Sequence, residues 1–156
     1  MVRTYAPCGQ TPVLRVPVTR EHLSVISGIT LHGQLLMQMQ DHAFASAGVV
    51  CFLRHLQVHL GERLLIIWDG APIHLEGAVT AFLQTEVGRQ LRVAPLPGYA
   101  PDLNPSEGVW DHLKQVELRN VACHNARELR HQLRRAVDRL RQKPHLICSF
   151  IKHYGY

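Results

Sequence analysis

The stretch Leu64-Leu65-Ile66-Ile67-Trp68-Asp69-Gly70-Ala71-Pro72 decides the fold class. Its first five residues form an unbroken apolar run, which is typical of a strand buried on both faces of an α/β sheet. Asp69 follows that run directly, and Gly70 with Pro72 predicts a sharp turn at the carboxyl end of the strand. Ligands and catalytic groups gather at this end of the strands in α/β sheets, so Asp69 is a candidate site residue. The alternative is that Asp69 only ends the strand through an Asx turn.

Two elements are predicted before this strand. Residues 23–31 and 34–40 are apolar or alternating runs, and His32-Gly33 between them predicts a β-hairpin. Apolar residues then recur at helical spacing from Val49 to Leu60, and Gly61 predicts the end of that helix. Residues 1–17 contain three prolines and are expected to be extended or looped.

The segment after Asp69 predicts two helices and one more strand. Residues 75–87 carry an apolar helical stripe closed by Gly88, and residues 91–94 predict a short strand. A proline-rich loop follows, and Asn104-Pro105 then opens a helix that continues to about Arg119, with proline at the first helical position. Glu107 lies in the first turn of this helix and is the second candidate site residue. Its alternative role is that of a capping-box partner of Asn104.

The last predicted helix, over residues 126–142, carries the basic surface of the chain. Asn125 and Glu128 predict its capping box, and its apolar stripe consists of Leu129, Leu133, Val137 and Leu140. Residues 126–143 hold seven arginines and lysines against two acids, an excess equal to the whole net charge of +5. Such a surface suits a phosphate backbone, although a charge run considered alone is more often a solvated helix face.

Length and composition limit the class of protein. The 156 residues suffice for one domain, and 46% hydrophobic with 19% charged residues is typical of a globular protein. No apolar run approaches the roughly 18 residues of a membrane span, and no secretory signal begins the chain, so a cytoplasmic location is expected. The four scattered cysteines predict reduced thiols and not a disulfide framework or a zinc site.

The element order predicts one α/β domain with a mixed sheet over residues 1–156, in which residues from about 144 form a C-terminal tail.

Two strings around the candidate acids resemble the paired motifs of mariner-like DDE transposases of bacterial insertion sequences. They are WDGAPIH at residues 68–74 and LPGYAPDLNPSE at residues 96–107, and Glu107 follows Asp69 by 38 residues, within the usual range of that family. The continuation GVWDHLK at 108–114 and the lead-in RTYAPCGQTP at 3–12 also fit. The resemblance therefore covers nearly the whole chain.

This resemblance implies an RNase H-like fold, a mixed sheet flanked by helices, and DNA strand cleavage and transfer with two Mg²⁺ or Mn²⁺ ions. By the match, Asp69 is the second and Glu107 the third acid of a metal-binding triad, because hard cations prefer carboxylate oxygens. Asn104 is expected to fix the start of the helix that presents Glu107. His74 matches a recurrent family position, and its role is left open between a function in the family's site and a packed or capping histidine.

The first acid of the family pattern does not match any residue of this chain. It lies on a first, central strand, upstream of the position that Arg3 matches, and the chain has no acidic residue before Glu21. Neither Glu21 nor Asp41 stands where that acid is expected. Without the first strand, the strand over 64–68 is expected to have an open edge, which favours aggregation. On its own, the chain is therefore expected to lack catalytic activity and to aggregate.

Two functions remain open. The first is a transposase catalytic domain that is complete only with an upstream transposase polypeptide; the upstream polypeptide and a homodimer are the expected protein partners. The second is an inactive, truncated remnant that binds DNA or a full-length transposase. In either case Arg127, Arg130 and Arg134 are the predicted contacts to the DNA backbone at transposon ends or target.

Overall fold

The computed structural model describes residues 7–10, 22–61, 63–98 and 100–155, which form two short sheets and five α-helices. The predictions made for residues 1–6 and 11–21, including the position of Glu21, lie outside the described residues. None of the described helices is long and apolar enough to cross a bilayer. In chain order, the strands and helices are β1 Ser24–Ile29, β2 Leu35–Gln40, α1 Ser46–Leu60, β3 Leu64–Trp68, α2 Gly77–Gln84, β4 Leu91–Pro95, α3 Ser106–His112, α4 Ala126–Arg141 and α5 Pro144–His153.

The first sheet is the predicted hairpin. β1 and β2 pair antiparallel, with Ser24 opposite Gln40 and Ile29 opposite Leu35. The turn requires glycine at residue 33, because its φ is +79° and an added Cβ would lie 2.3 Å from the carbonyl oxygen of Pro144. The sequence prediction of the hairpin and its turn is therefore confirmed.

Helices cover both faces of this hairpin, since successive side chains of a strand point to opposite faces. Leu36 of β2 belongs to a cluster with buried residues of α1 and α2. The adjacent Leu35 belongs to a second cluster, formed with buried residues of α3, α4 and α5. The hairpin thus lies between two helical layers, as expected for a mixed α/β domain.

The second sheet is a parallel pair. Leu64 of β3 lies opposite Leu91 of β4, and Trp68 lies opposite Pro95. The expectation that β3 is buried on both faces is wrong for the described structure, because Leu65 and Ile67 remain 70% and 46% exposed. The other face of β3 packs against the cluster of α1 and α2, whereas α3 and α4 contact the hairpin. One face of β3 is consequently left without a helical cover among the described residues.

Two predicted helices have different bounds in the structure. The apolar stripe over residues 75–87 is too long, because α2 ends at Gln84 and both Leu75 and Val87 are exposed. The Thr85 hydroxyl caps this end by donating a hydrogen bond to the carbonyl of Phe82 at 2.6 Å, and it accepts one from the N–H of Gly88. The helix expected from Pro105 to about Arg119 begins at Ser106 and passes after His112 into a π-helical turn, Leu113–Glu117.

Helix α4 has the predicted bounds and nearly the predicted cap. Leu133, Val137 and Leu140 are buried, and Leu129 is partly buried. The Asn125 side chain accepts a hydrogen bond from the N–H of Glu128 at 2.8 Å. The Glu128 carboxylate accepts from the N–H of His124, one residue earlier than a capping box requires.

Helix α5 was not predicted from the sequence. It occupies most of the segment expected to be a C-terminal tail, and Ile147 and Ile151 on it are buried. Because α5 packs on α3 and α4, it is part of the layer that covers one face of the hairpin.

Candidate active site

Asp69 lies at the carboxyl end of the parallel pair. The N–H of Leu96, the first residue after β4, donates to the carbonyl of Trp68 at 2.7 Å. The turn after β3 and the loop after β4 therefore leave the sheet at the same edge. This is the edge at which ligands gather in α/β sheets. Asp69 begins the first of these segments, and the second leads to Glu107.

The two oxygens of the Asp69 carboxylate have different surroundings. Its Oδ1 accepts a hydrogen bond from the N–H of Ala71 at 3.1 Å, and the Nε2 atom of His74 lies 3.0 Å from the same oxygen. No hydrogen bond or ion pair joins Oδ2 to any residue in the described ranges. The side chain is 58% exposed. The Asx turn expected from the sequence is present, and it leaves one oxygen facing solvent.

His74 is held in place by its neighbours. It ends a single 3-10 turn, Pro72–His74, and its ring stacks on Trp68 with centroids 4.5 Å apart and planes 19° apart. Its side chain is 14% exposed, and its Nδ1 atom is buried without a hydrogen-bond partner among the described residues. The contact between Nε2 and Asp69 is thus a short polar contact beside a stacked ring, not an aligned hydrogen bond.

Glu107 lies in the first turn of α3, and Asn104 fixes the start of that helix. The Asn104 side chain accepts from the N–H of Ser106 at 3.1 Å, and its carbonyl accepts from the N–H of Glu107 at 2.9 Å. The N–H of Asn104 donates to the carbonyl of Pro101, so Glu107 is not its capping-box partner. The half-buried Glu107 carboxylate forms no hydrogen bond or ion pair within the described part of the chain.

Tyr154, which follows α5, reports on the charges around Glu107. Burial raises the pKa of the Tyr154 phenol, and the negative charges of Asp111, Glu107 and Asp102 raise it further. The end of α5 therefore lies in the negative field of three acids, one of which is Glu107. The sequence contains no local signal for this arrangement, because it depends on how α5 packs against α3.

The fit of this site to a divalent cation can be judged from its oxygens. Oδ2 of Asp69 and the carboxylate of Glu107 have no partner among the described residues, and carboxylate oxygens are the ligands that hard cations prefer. Within the described ranges, no group of three or more His, Cys, Asp or Glu side chains could hold a metal ion. Asp41 pairs with Arg130 through Oδ1. The two acids thus fit part of a metal site.

The three candidate DNA-binding arginines on α4 differ in their surroundings. Arg130 is 24% exposed and forms an ion pair with Asp41, just after β2. Arg127 and Arg134 are exposed, and neither forms an ion pair with any residue that the structure describes. Arg127 and Arg134 therefore keep their charges available to a ligand. The tie between Arg130 and Asp41 was not predicted from the charge count.

Other basic residues of this region have a structural partner. The carboxylate of Glu117, whose side chain is 7% exposed, accepts from Arg139 at 2.6 Å and lies 3.5 Å from Lys143. Burial raises the pKa of Glu117, but the hydrogen bond and charge of Arg139, together with Lys143, outweigh burial and lower that pKa overall. Arg139 and Lys143 thus bind the end of α3 to α4 and α5.

Comparisons with known proteins identify the family and the fold of the chain. The family described as DDE superfamily endonuclease matches residues 2–147. The pre-cleavage Mos1 transpososome matches with a TM-score of 0.64 and 17% identity over 99% of this chain. The Mos1 mariner paired end complex with Mn matches with a TM-score of 0.61 and 17% identity over 98% of this chain. At this identity, the likeness to the solved structures establishes the fold, which is the predicted RNase H-like one.

The chain spans about half the length of these solved chains, since it covers 51% of each. No curated protein matches it.

Proposed function

The chain belongs to the DDE superfamily of endonucleases, and on that premise we propose that it is catalytic-domain sequence of a mariner-like transposase that cleaves and joins DNA strands. The observation that carries the proposal is the unpaired Oδ2 of Asp69 at the carboxyl edge of the β3–β4 pair. We assign the chain to the bacterial insertion-sequence type, because its two matched strings resemble that group.

In this proposal Asp69 and Glu107 hold divalent Mg²⁺ or Mn²⁺. Two such ions activate the attacking oxygen and stabilise the leaving oxygen of a phosphodiester. Asp69 contributes Oδ2, because Oδ1 already accepts a hydrogen bond from the N–H of Ala71. Glu107 contributes a carboxylate whose backbone position is fixed by Asn104 at the start of α3.

A third carboxylate would come from a strand that pairs with β3. Among the described residues β3 pairs only with β4, so its other edge has free N–H and C=O groups. Leu65 and Ile67 are exposed beside that edge. An added strand would satisfy the edge and place its own carboxylate near Asp69. We propose that an upstream transposase polypeptide supplies this strand, with a homodimer as the other candidate partner of the chain.

We propose that the arginine side chains of helix α4 bind the phosphate backbone of DNA. Arg127 and Arg134 form no ion pair with any described residue, and Arg130 lies between them in sequence while paired to Asp41. Contacts of this kind are independent of base sequence and weaken steeply as salt is added. The helix would position a DNA backbone near the proposed metal site.

The alternative function is that of an inactive remnant, which binds DNA or a full-length transposase without cutting DNA. The observation that favours it is that the matched strings supply two of the three acids. The two functions share the DNA-binding helix and differ in metal-dependent chemistry, so a cleavage assay separates them.

The test is DNA cleavage by the chain in the presence of a polypeptide that carries the first strand of a related transposase. We expect Mg²⁺-dependent strand cleavage, which Asp69→Asn abolishes while DNA binding stays within about twofold, because metal chemistry and phosphate contacts are separate. Asp138→Asn, an exposed acid on α4, is the matched control and should retain cleavage. Absence of cleavage with every complementing strand, together with intact DNA binding, would favour the remnant.

A further inference from the structure

We propose that His55 and His59 on α1 form a two-histidine site for a divalent transition ion of the class that includes Zn²⁺, Ni²⁺ and Cu²⁺. Both residues lie outside the matched strings that contain Asp69 and Glu107. Imidazole nitrogens suit these ions, whereas Mg²⁺ and Mn²⁺ prefer oxygen ligands. The inference therefore goes beyond the proposed function and does not depend on it.

The two imidazoles are neighbours on one face of the helix. They are four residues apart within Ser46–Leu60, the spacing at which side chains of successive turns meet. Their ring centroids lie 4.0 Å apart, with planes tilted by 44°. Two histidines at this spacing on a helix can bind one zinc ion. Because His59 is exposed and His55 is only half-buried, an ion can reach the pair from solvent.

The backbone assigns the proton of the His59 ring. Its Nδ1 atom forms a hydrogen bond of 2.9 Å with the carbonyl oxygen of His55. A carbonyl oxygen only accepts, so Nδ1 carries the proton of the neutral ring and Nε2 keeps its lone pair. Histidines that bind metals commonly donate their second ring N–H in this way, which fixes the tautomer and the orientation of the ring. The Nε2 atom of His59 is therefore the metal-binding nitrogen.

The ring of His55 is restrained by a second neighbour. It stacks on the buried ring of Phe52, with centroids 6.3 Å apart and planes 25° apart. Burial lowers the pKa of His55, and the charges of His59 and Arg141 lower it further. A histidine must be neutral to bind a metal, so this environment favours the form that is needed.

The charges around the pair can accommodate a cation. Arg141 would oppose it, but its guanidinium donates to the carbonyl of Leu35 at 2.9 Å and lies 3.3 Å from Asp138. His59 lies in the last turn of α1, where the carbonyl end of the helix dipole favours positive charge. The helix end and Asp138 therefore offset the repulsion from Arg141.

The proposed site has two protein ligands, and water would complete the coordination of the ion. Among the residues that the structure describes, no group of three or more side chains could hold a metal. Cys51, one turn before His55, accepts a weak hydrogen bond from the Gln38 amide at 3.8 Å. The pair differs from a structural zinc site, which is closed by four protein ligands. Its ion would instead join the last two turns of α1.

Binding of Ni²⁺ to the metal-free chain, measured by isothermal titration calorimetry, tests the pair. Either His55→Gln or His59→Gln should weaken the affinity by about tenfold or more, because each variant loses the gain from a second ligand held beside the first. His42→Gln, at an exposed histidine outside the pair, is the matched control and should leave the affinity unchanged. Unchanged affinity in His59→Gln would overturn the proposal and leave adventitious binding only.

Cu²⁺ spectra identify the ligands directly. Electron paramagnetic resonance of the chain with substoichiometric Cu²⁺ should show splitting by imidazole nitrogens, and His59→Gln should reduce that splitting. Excess Mg²⁺ should not displace the ion, because Mg²⁺ prefers oxygen ligands. A spectrum without nitrogen splitting would contradict the proposal.

The experiment also separates this site from the one proposed at Asp69. Asp69→Asn should keep the Ni²⁺ affinity of the unaltered chain. If Asp69→Asn abolishes Ni²⁺ binding and His59→Gln does not, the ion belongs to the carboxylates and the two-histidine site is refuted. If His55→Gln does not fold, as judged by its thermal melting, His59→Gln decides, since its side chain is exposed. Ni²⁺ should also raise the Tm of the unaltered chain more than that of His59→Gln, because an ion that binds only the folded helix stabilises it.

Discussion

The Nε2 atom of His74 lies 3.0 Å from Oδ1 of Asp69, while the ring of His74 stacks on Trp68. Strand, acid and histidine thus form one local unit within seven residues. Because this unit ends β3 at the carboxyl edge of the sheet, the fold that buries one face of the strand also orients the candidate metal ligand. The chemistry proposed here depends on that unit and on Glu107.

Replacement of Arg127 or Arg134 by glutamine should weaken DNA binding equally for all duplex sequences. Each loss of a phosphate contact should also lower the slope of log affinity against log salt by about 1. Arg130→Gln is the matched comparison and should have a smaller effect, since Arg130 is already paired with Asp41. The measurement is fluorescence anisotropy over a salt series. If the slope of log affinity against log salt is unchanged in Arg127→Gln and Arg134→Gln, these arginines do not contact DNA and α4 is only a solvated helix.

Glu117→Gln should destabilise the chain at neutral pH by about 1.5–3 kcal/mol, because it removes a charged hydrogen bond to Arg139. The pKa of Glu117 is lowered in the folded state, so its stabilisation is present above the ordinary value of 4.5 and is lost as pH falls through the folded pKa. The difference between Glu117→Gln and the unaltered chain should therefore shrink below about pH 4.5.

Urea unfolding at a series of pH values measures that difference. Glu86→Gln, at an exposed glutamate, is the control and should stay within about 0.5 kcal/mol of the unaltered chain. A constant difference between the Glu117 variant and the unaltered chain down to pH 3 would contradict the ion-pair account.

The pKa of Tyr154 should fall in both Asp111→Asn and Glu107→Gln, because each removes a negative charge that raises it. The fall should be larger for Asp111→Asn, and burial should keep the pKa above its usual value of 10 in both variants. Nuclear magnetic resonance of carbon-labelled tyrosine resolves the phenol from the other three tyrosines. An unchanged pKa in Glu107→Gln would mean that α5 does not end beside Glu107.

The sequence predicted those elements whose signals are local. The hairpin follows from alternation around His32-Gly33, and α4 follows from a capped apolar stripe, so both have nearly the predicted bounds. The apolar run of β3 predicted a strand correctly but not its surroundings, because such a run cannot specify which helices cover it. Exposure of Leu65 and Ile67 is a property of the tertiary packing.

The same distinction applies to the site. Asp69 and Glu107 stood out through their matched strings, and the sequence also indicated Asn104 as the residue that starts α3. The contact of His74 with Asp69 depends on a ring stacked against Trp68, and the field around Tyr154 depends on the packing of α5. Neither can be read from spacing along the chain. The ion pair between Arg130 and Asp41 joins residues 89 positions apart, so it also depends on tertiary packing and could not be predicted from the sequence.

The central claim, that Asp69 and Glu107 bind the same metal centre, is tested most directly by paramagnetic broadening with Mn²⁺. Substoichiometric Mn²⁺ should broaden the amide resonances around both residues in the unaltered chain, and excess Mg²⁺ should reverse the effect. Either Asp69→Asn or Glu107→Gln should reduce the broadening at both places, whereas Asp138→Asn should not. Broadening around only one of the two acids would contradict a shared metal centre. So would broadening around each acid that persists when the other acid is replaced.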